Sequence, residues 1–194
     1  MDERQVVSTA GVSSVNGTDD REACSKFWIA AYTRPKSEKK AASELAKMGV
    51  ETFVPVQSVV RQWSDRKKKI DVVIIPNVVF VFILEDEISL VKQHPLIIKI
   101  AKYPGDETIG IIPATDIEQL RHMAEGTENL ITFTPTLHHI GKRALVKRGV
   151  FQGLTGSVER VNSSKSKMYV SVSLLGSAMV EVSSKDLEII EDLV

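Results

Sequence analysis

The side chains best suited by type and spacing to bind another molecule are cations, and they fall into two groups. Arg34, Lys36, Lys40 and Lys47 occupy one short segment. At ~100° per residue, positions 36, 40 and 47 lie within about 40° of one line, so a helix there presents a cationic stripe. Arg61, Arg66, Lys67, Lys68 and Lys69 crowd around Asp65 with a net charge of +4. Either group can meet phosphates, and either can equally be a solvated face that keeps the chain soluble. Other chemistry finds little support. The four histidines, His94, His122, His138 and His139, have neither metal-ligand spacing nor a cysteine cluster nearby. There is no Walker loop, no GxGxxG, no Ser/His/Asp order and no pocket of paired carboxylates. We therefore expect no enzyme, no cofactor and no metal.

The elements that carry these cations can be read from periodicity. Phe27 to Thr33 is an apolar run of strand length, broken by Arg34 and Pro35. Ser37 then stands where an N-cap would, and Ala41, Ala42, Leu45 and Met48 recur on one helical face before Gly49 stops the helix. Val50 to Val56 alternates as a strand does. Val59 to Trp63 and Ile70 to Ile75 flank the basic segment Ser64 to Lys69 in the manner of a hairpin. Asn77 to Leu84 has the β-branched and aromatic composition of a central strand. A helical turn or two is expected over Ser89 to His94, a strand over Leu96 to Ala101, and a helix over Pro113 to Glu125 that opens with proline and closes at Gly126.

These elements predict an α+β protein: an antiparallel sheet with packed helices over residues 26–125, preceded by a mobile tail over 1–25. The Thr-rich span 126–141, broken by Pro135, reads as a linker. Residues 142–194 carry short β-rich runs at Arg143 to Lys147, Thr155 to Val161, Met168 to Leu174 and Met179 to Ser183, the pattern of a small all-β barrel.

Within that last part, Val146-Lys147-Arg148-Gly149-Val150-Phe151-Gln152-Gly153-Leu154-Thr155-Gly156 is the sharpest motif. Its glycines suit positions needing positive φ or close backbone approach, and Phe151 and Leu154 can plug a barrel. The run resembles a KOW motif, on Lys147, Arg148, Gly149, Phe151, Gly153 and Gly156, and Lys165 to Glu181 continues the resemblance through an SH3-like barrel. Trp28 and Tyr32, Phe53 and Pro55, and Pro76-Asn77-Val78-Val79-Phe80-Val81 are similar to the amino-terminal (NGN) domain of the NusG family. NGN before KOW is that family's architecture. Pro76-Asn77, the Arg34-Pro35-Lys36 turn and the compact hairpin are closer to its operon-specialised paralogues UpxY and RfaH than to housekeeping NusG.

The resemblance implies a transcription elongation or antitermination factor serving a polysaccharide (capsule) operon, with RNA polymerase as its partner. An apolar concavity at Tyr32, Phe53, Pro55, Ile75, Pro76, Val78 and Phe80 is then expected to receive the β′ clamp helices. Val78 departs from the specialised paralogues, which carry tyrosine there. Arg34, Lys36, Lys40 and Lys47 are expected to face non-template DNA or nascent RNA, and Lys92, Gln93 and His94 to touch the β gate loop or DNA; the hairpin cations can bind nucleic-acid phosphates or keep the hairpin soluble. The KOW barrel is expected to recruit ribosomal protein S10 or Rho, although Leu175 stands where the family is often aromatic. A general NusG-type factor and a ribosome-associated KOW RNA-binding protein are the alternatives; the second should be more basic than the net +2 of residues 142–194.

Bulk composition is consistent with this reading. The chain has 194 residues, 43% hydrophobic and 26% charged, with zero formal net charge, so phosphate contact cannot be its whole basis of affinity. Its longest apolar runs are far shorter than the ~20 residues of a membrane span. Residues 1–24 have no signal-like apolar core, and Cys24 is the sole cysteine, which points to the reducing cytoplasm.

Overall fold

The computed structural model describes residues 25–62, 67–126, 130–137 and 141–193. The tail expected before Ser25 lies outside the described residues, as do Arg66, His138 and His139. In chain order the elements are β1 (Phe27–Thr33), α1 (Glu38–Lys47), β2 (Glu51–Phe53), β3 (Val56–Gln62), β4 (Lys67–Val73), β5 (Val78–Ile83) and α2 (Ile88–Lys92). There follow β6 (Ile97–Ile100), β7 (Ile111–Ile112), α3 (Ala114–Gly126) and β8 (Thr132–Thr134). The last part holds β9 (Gly141–Val146), β10 (Thr155–Arg160), β11 (Lys165–Val172), β12 (Gly176–Ser183) and β13 (Leu187–Leu193).

The first sheet runs β2-β5-β1-β6, with β7 also paired to β1, and every pairing is antiparallel. Its centre is the β1–β5 pair, in register from Phe27 opposite Ile83 to Tyr32 opposite Val78. Alternation sends Ile29, Ala31, Val79, Val81 and Ile83 to one face, where they pack with Ala41 and Leu45 of α1 and Val91 of α2. Trp28, Ala30, Val78 and Phe80 go to the other face and pack with Ile117, Leu120 and Met123 of α3. Both faces are apolar, so both need a cover, and the helices supply it.

Val50 to Val56, expected as one strand, is two. Pro55 cannot donate to a ladder, and the chain turns there, so that β2 joins β5 while β3 leaves to pair with β4 alone. β3 and β4 form a separate two-stranded ribbon, in register from Val56 opposite Val73 to Gln62 opposite Lys67. Ser37 does flank α1, but its hydroxyl donates to the Pro35 carbonyl and caps no helical N–H.

The second sheet has six antiparallel strands in the order β13-β9-β10-β11-β12-β8. β8 lies inside the span expected as a linker, and pairs Thr132, Phe133 and Thr134 with Met179, Ala178 and Ser177. The chain just before it is held to the ribbon: the fully buried Gln57 accepts a hydrogen bond from the Ile131 N–H at 3.0 Å, and Ile131 itself is buried. Residues 131–134 of this span are therefore held by strand pairing and by Gln57.

α3 also carries the contact between the two sheets. Asp116 accepts from the Ser173 N–H at 2.8 Å, Gln119 donates to the Thr155 hydroxyl at 3.3 Å, and His122 meets the Val150 carbonyl at 3.2 Å. Spaced three apart, these residues form one ridge along the helix. Beside it Leu174 fits against Gly110, where any Cβ would collide with its side chain. Replacing Gln57 by Met should leave the buried Ile131 N–H without its acceptor. We expect a loss of about 1–3 kcal/mol, read as a lower denaturant midpoint with unchanged slope.

Candidate functional site

The apolar residues expected to bind a partner fall on the α3-facing side of the first sheet or beside it. Phe80 is fully buried and stacks on Phe53, with ring centroids 6.0 Å apart. Trp28 packs on Phe82 at 5.1 Å. Ile75 and Val78 are buried, and so is Pro55. These four, Pro55, Ile75, Val78 and Phe80, are core rather than exposed anchors. The sheet has a second apolar face, and α3 folds across it, which no local pattern announces. Tyr32 and Phe53 remain half-exposed and Pro76 exposed. The two aromatics carry cations on their rings: Lys99 Nζ is 5.0 Å from the Tyr32 centroid, and the Arg121 guanidinium 5.0 Å from that of Phe53.

The first cationic group is only partly the stripe expected. Lys36 has φ 60° and precedes α1, so helical spacing does not apply to it. Lys40 and Lys47 do share the outer face of α1, opposite the buried Ala41 and Leu45, and Lys40 lies 3.9 Å from Glu44. Arg34, Lys36, Lys40 and Lys47 are all exposed. The left-handed turn at Lys36 is matched by Asn77, also at φ 60°. Glu38, buried at the start of α1, accepts from the Asn77 N–H at 2.7 Å, and the Asn77 carbonyl accepts from the Thr33 N–H. The Arg34-Pro35-Lys36 turn is thereby pinned to the head of β5.

Residues 26–121, which include this whole assembly, match the family described as "Transcription termination factor nusG". The segment is a NusG-family match. Among solved structures, the chain is similar to one described as "Domain interaction in Thermotoga maritima NusG", at 16% identity and TM-score 0.49, covering 86% of this chain and 98% of that one. It is also similar to "Crystal Structure of MjSpt4:Spt5 complex conformation A", at 16% identity and TM-score 0.28, covering 85% and 99%. Conformation B of that complex gives 18% identity and TM-score 0.28, covering 86% and 99%. No curated protein sequence matches the chain.

In this NusG-like segment the second cationic group sits on the ribbon. Lys67, Lys68 and Lys69 are exposed on β4, and Arg61 pairs with Lys68 across the ladder. Asp71 connects the ribbon to α1, a link that sequence spacing does not reveal. It accepts from Lys39 Nζ at 3.0 Å and from the Ser58 hydroxyl at 2.9 Å. The Lys39 ammonium and the Ser58 hydroxyl hold its carboxyl below the usual carboxylate range.

His94, expected at the β gate loop or DNA, lies in the interior of the fold. It is buried, with Nε2 3.2 Å from a Glu44 carboxylate oxygen and Nδ1 accepting from the Leu96 N–H at 3.3 Å. It therefore ties the loop after α2 to α1 and is inaccessible to a partner; Lys92 and Gln93 beside it are exposed. No described helix is long and apolar enough to cross a membrane. Among the described residues no cluster of His, Cys, Asp or Glu is arranged to hold a metal.

The glycine motif makes a compact turn between β9 and β10. Gly149 and Gly153 have φ of 86° and 91°, while a Cβ on Gly156 would strike the Tyr169 carbonyl of β11. The turn is closed by the Val146 N–H to the Leu154 carbonyl and the Gly153 N–H to the Val146 carbonyl, both 2.9 Å. Phe151 and Leu154 point into the core, whereas Lys147 and Arg148 are exposed and Lys147 pairs with Glu188 at 2.7 Å.

Two outcomes follow. Phe80→Ala should cost about 3–5 kcal/mol of stability, as a core aromatic does, and clearly more than Tyr32→Ala in the same thermal or denaturant assay. Because Asp71's carboxyl is lowered in the fold, its contribution is present above the unfolded carboxylate range and is lost as pH falls through the folded pKa. The stability difference between the wild type and Asp71→Asn should therefore shrink on acidification below about pH 4, measured by denaturation at a pH series.

Proposed function

We propose that the chain is a transcription elongation and antitermination factor that works by binding RNA polymerase and catalyses no reaction. The observation that carries this reading is the NusG-family match over residues 26–121, the segment that holds both cationic groups and the aromatic face. Residues 26–125 act as the NGN domain. Of the residues first expected at the polymerase β′ clamp helices, Tyr32, Phe53 and Pro76 serve as the contact, since they keep exposed surface while the others are buried. Partly exposed aromatics are the usual energetic centres of such interfaces.

In the same reading, Arg34, Lys36, Lys40 and Lys47 face the non-template DNA strand or nascent RNA, and Lys92 and Gln93 face the β gate loop. Residues 142–194 form the KOW barrel. Its glycine turn, with two positive-φ glycines and a third at a close strand crossing, supports that assignment. The barrel recruits a further component of the transcription or translation machinery, such as ribosomal protein S10 or Rho. Service to a dedicated operon of the polysaccharide type rests on the sequence resemblance of Pro76-Asn77 and the Arg34-Pro35-Lys36 turn to the specialised paralogues, and a location at the head of such a gene cluster tests that refinement.

The central test is capture of core RNA polymerase by the purified full chain. Tyr32→Ala and Phe53→Ala should each weaken capture by about 2 kcal/mol while melting falls much less than for Phe80→Ala. Loss of capture that simply follows loss of melting temperature would return both residues to the core. For the stripe, replacing Lys36, Lys40 and Lys47 by Gln should lower the salt dependence of binding to an elongation complex by about 0.7–0.9 per lost phosphate contact. An unchanged slope would leave these lysines as a solvated surface.

A further inference from the structure

The four cations placed at nucleic acid are not held alike. Lys40 and Lys47 ride on α1, whereas Arg34 and Lys36 belong to the exposed turn before it. That turn is closed by the Ser37 N–H donating to the Arg34 carbonyl at 3.1 Å, with Pro35 second and Lys36 third. Lys36 is left-handed, at φ 60°, a place that glycine or asparagine usually fills because a β-carbon is crowded there. An exposed turn with such a residue keeps one shape only when its surroundings impose it.

Here they impose it from both sides. The Arg34 N–H donates to the Leu96 carbonyl at 3.0 Å, and the Thr33 N–H to the Asn77 carbonyl at 2.8 Å. Past the turn, the Glu38 side chain, on a residue only 6% exposed, accepts from the Asn77 N–H at 2.7 Å. Asn77 thus grips the chain before the turn with its carbonyl and after the turn with its N–H. Asn77 is itself at φ 60° and follows Pro76, the exposed residue assigned above to the polymerase contact. One buried carboxylate therefore joins the cationic turn to the head of β5. The dipole of α1 alone would be served by an acid left in water at the same position. Glutamate is seldom buried without a partner, and what burial gives Glu38 is the Asn77 N–H.

We propose that Glu38 is a positioning residue for nucleic-acid binding: through Asn77 it fixes Arg34 and Lys36 relative to Pro76, so that a chain docked on polymerase has both cations already aimed at a phosphodiester backbone. This rests on the polymerase and nucleic-acid reading above and adds to it the residue that joins the two contacts.

Plain electrostatics and positioning give opposite signs on mutation. Removing a carboxylate beside cations should strengthen phosphate binding, whereas losing the clasp should weaken it. The full chain is bound to elongation complexes over a salt series, and capture of core RNA polymerase and melting are measured on the same variants. Glu38→Gln keeps an acceptor oxygen at the same reach and should match or exceed the wild type. Glu38→Ala should bind the elongation complex several-fold more weakly, with core capture nearly unchanged. Its salt slope should fall by up to about 1.4–1.8, the equivalent of two phosphate contacts, although every cation remains. Glu38→Asp keeps the charge but is one methylene short, so it should show the same loss, and it decides the matter if the alanine variant melts too low to measure. Arg34→Gln combined with Lys36→Gln should lower the slope by the same amount. If that double variant does so while Glu38→Ala and Glu38→Asp behave as wild type, the positioning role is overturned and the reading of the cations stands. An unchanged slope in the double variant overturns both. Equal losses in Glu38→Ala and Glu38→Gln also overturn the positioning role, because the acceptor oxygen would then be irrelevant. Omitting the non-template strand from the bubble assigns the phosphates: the difference between Glu38→Ala and Glu38→Gln disappears if they belong to that strand and persists if they belong to the RNA.

Discussion

Everything in this fold is arranged around the fact that the β1–β5 pair is apolar on both faces. A strand such as Val78–Ile83, with neighbouring residues buried on opposite sides, cannot leave either face to water. α1 and α2 cover the face with Ile29, Val79 and Val81; α3 covers the face with Trp28, Ala30 and Phe80. Ala30 and Ala31, both fully buried, keep the centre of the sheet thin enough for helices to approach from each side. Once α3 is committed to one face, its Asp116, Gln119 and His122 ridge is presented to the second sheet, and the core continues through it to Val146, Leu154, Met168 and Val170.

That commitment determines which surface is left for partners. The aromatics largely turn inward, and what stays accessible is the fringe: Tyr32 beneath Lys99, Phe53 beneath Arg121, and Pro76 at the entrance to β5. The outer face of α1 and the ribbon remain cationic, and the Asp71 carboxylate connects Lys39 of α1 to the ribbon. An exposed ion pair of this kind adds little stability. His94 illustrates the opposite outcome. A residue that looked available by its position in a loop is consumed in holding that loop against Glu44.

The sequence by itself determined much of the element order, because the evidence for it is local. Apolar periodicity placed β1, α1, β5, α2, β6 and α3 to within a few residues, and glycine spacing marked the turn between β9 and β10 as one needing positive φ or close backbone approach, the first met at Gly149 and Gly153 and the second at Gly156. The cationic groups were visible for the same reason, since charge is a property of the residue. Tertiary structure alone decided what each of these residues faces. Phe53 and Phe80 have the same type and the same β setting, yet only one keeps exposed surface, because α3 arrives from more than thirty residues away. β8 was hidden in a Thr-rich span because three residues become a strand only when Ser177 to Met179 offer an edge. The Asp71–Lys39 link joins positions thirty-two residues apart, and burial and pairing at such separations depend on chain geometry that no window of sequence contains.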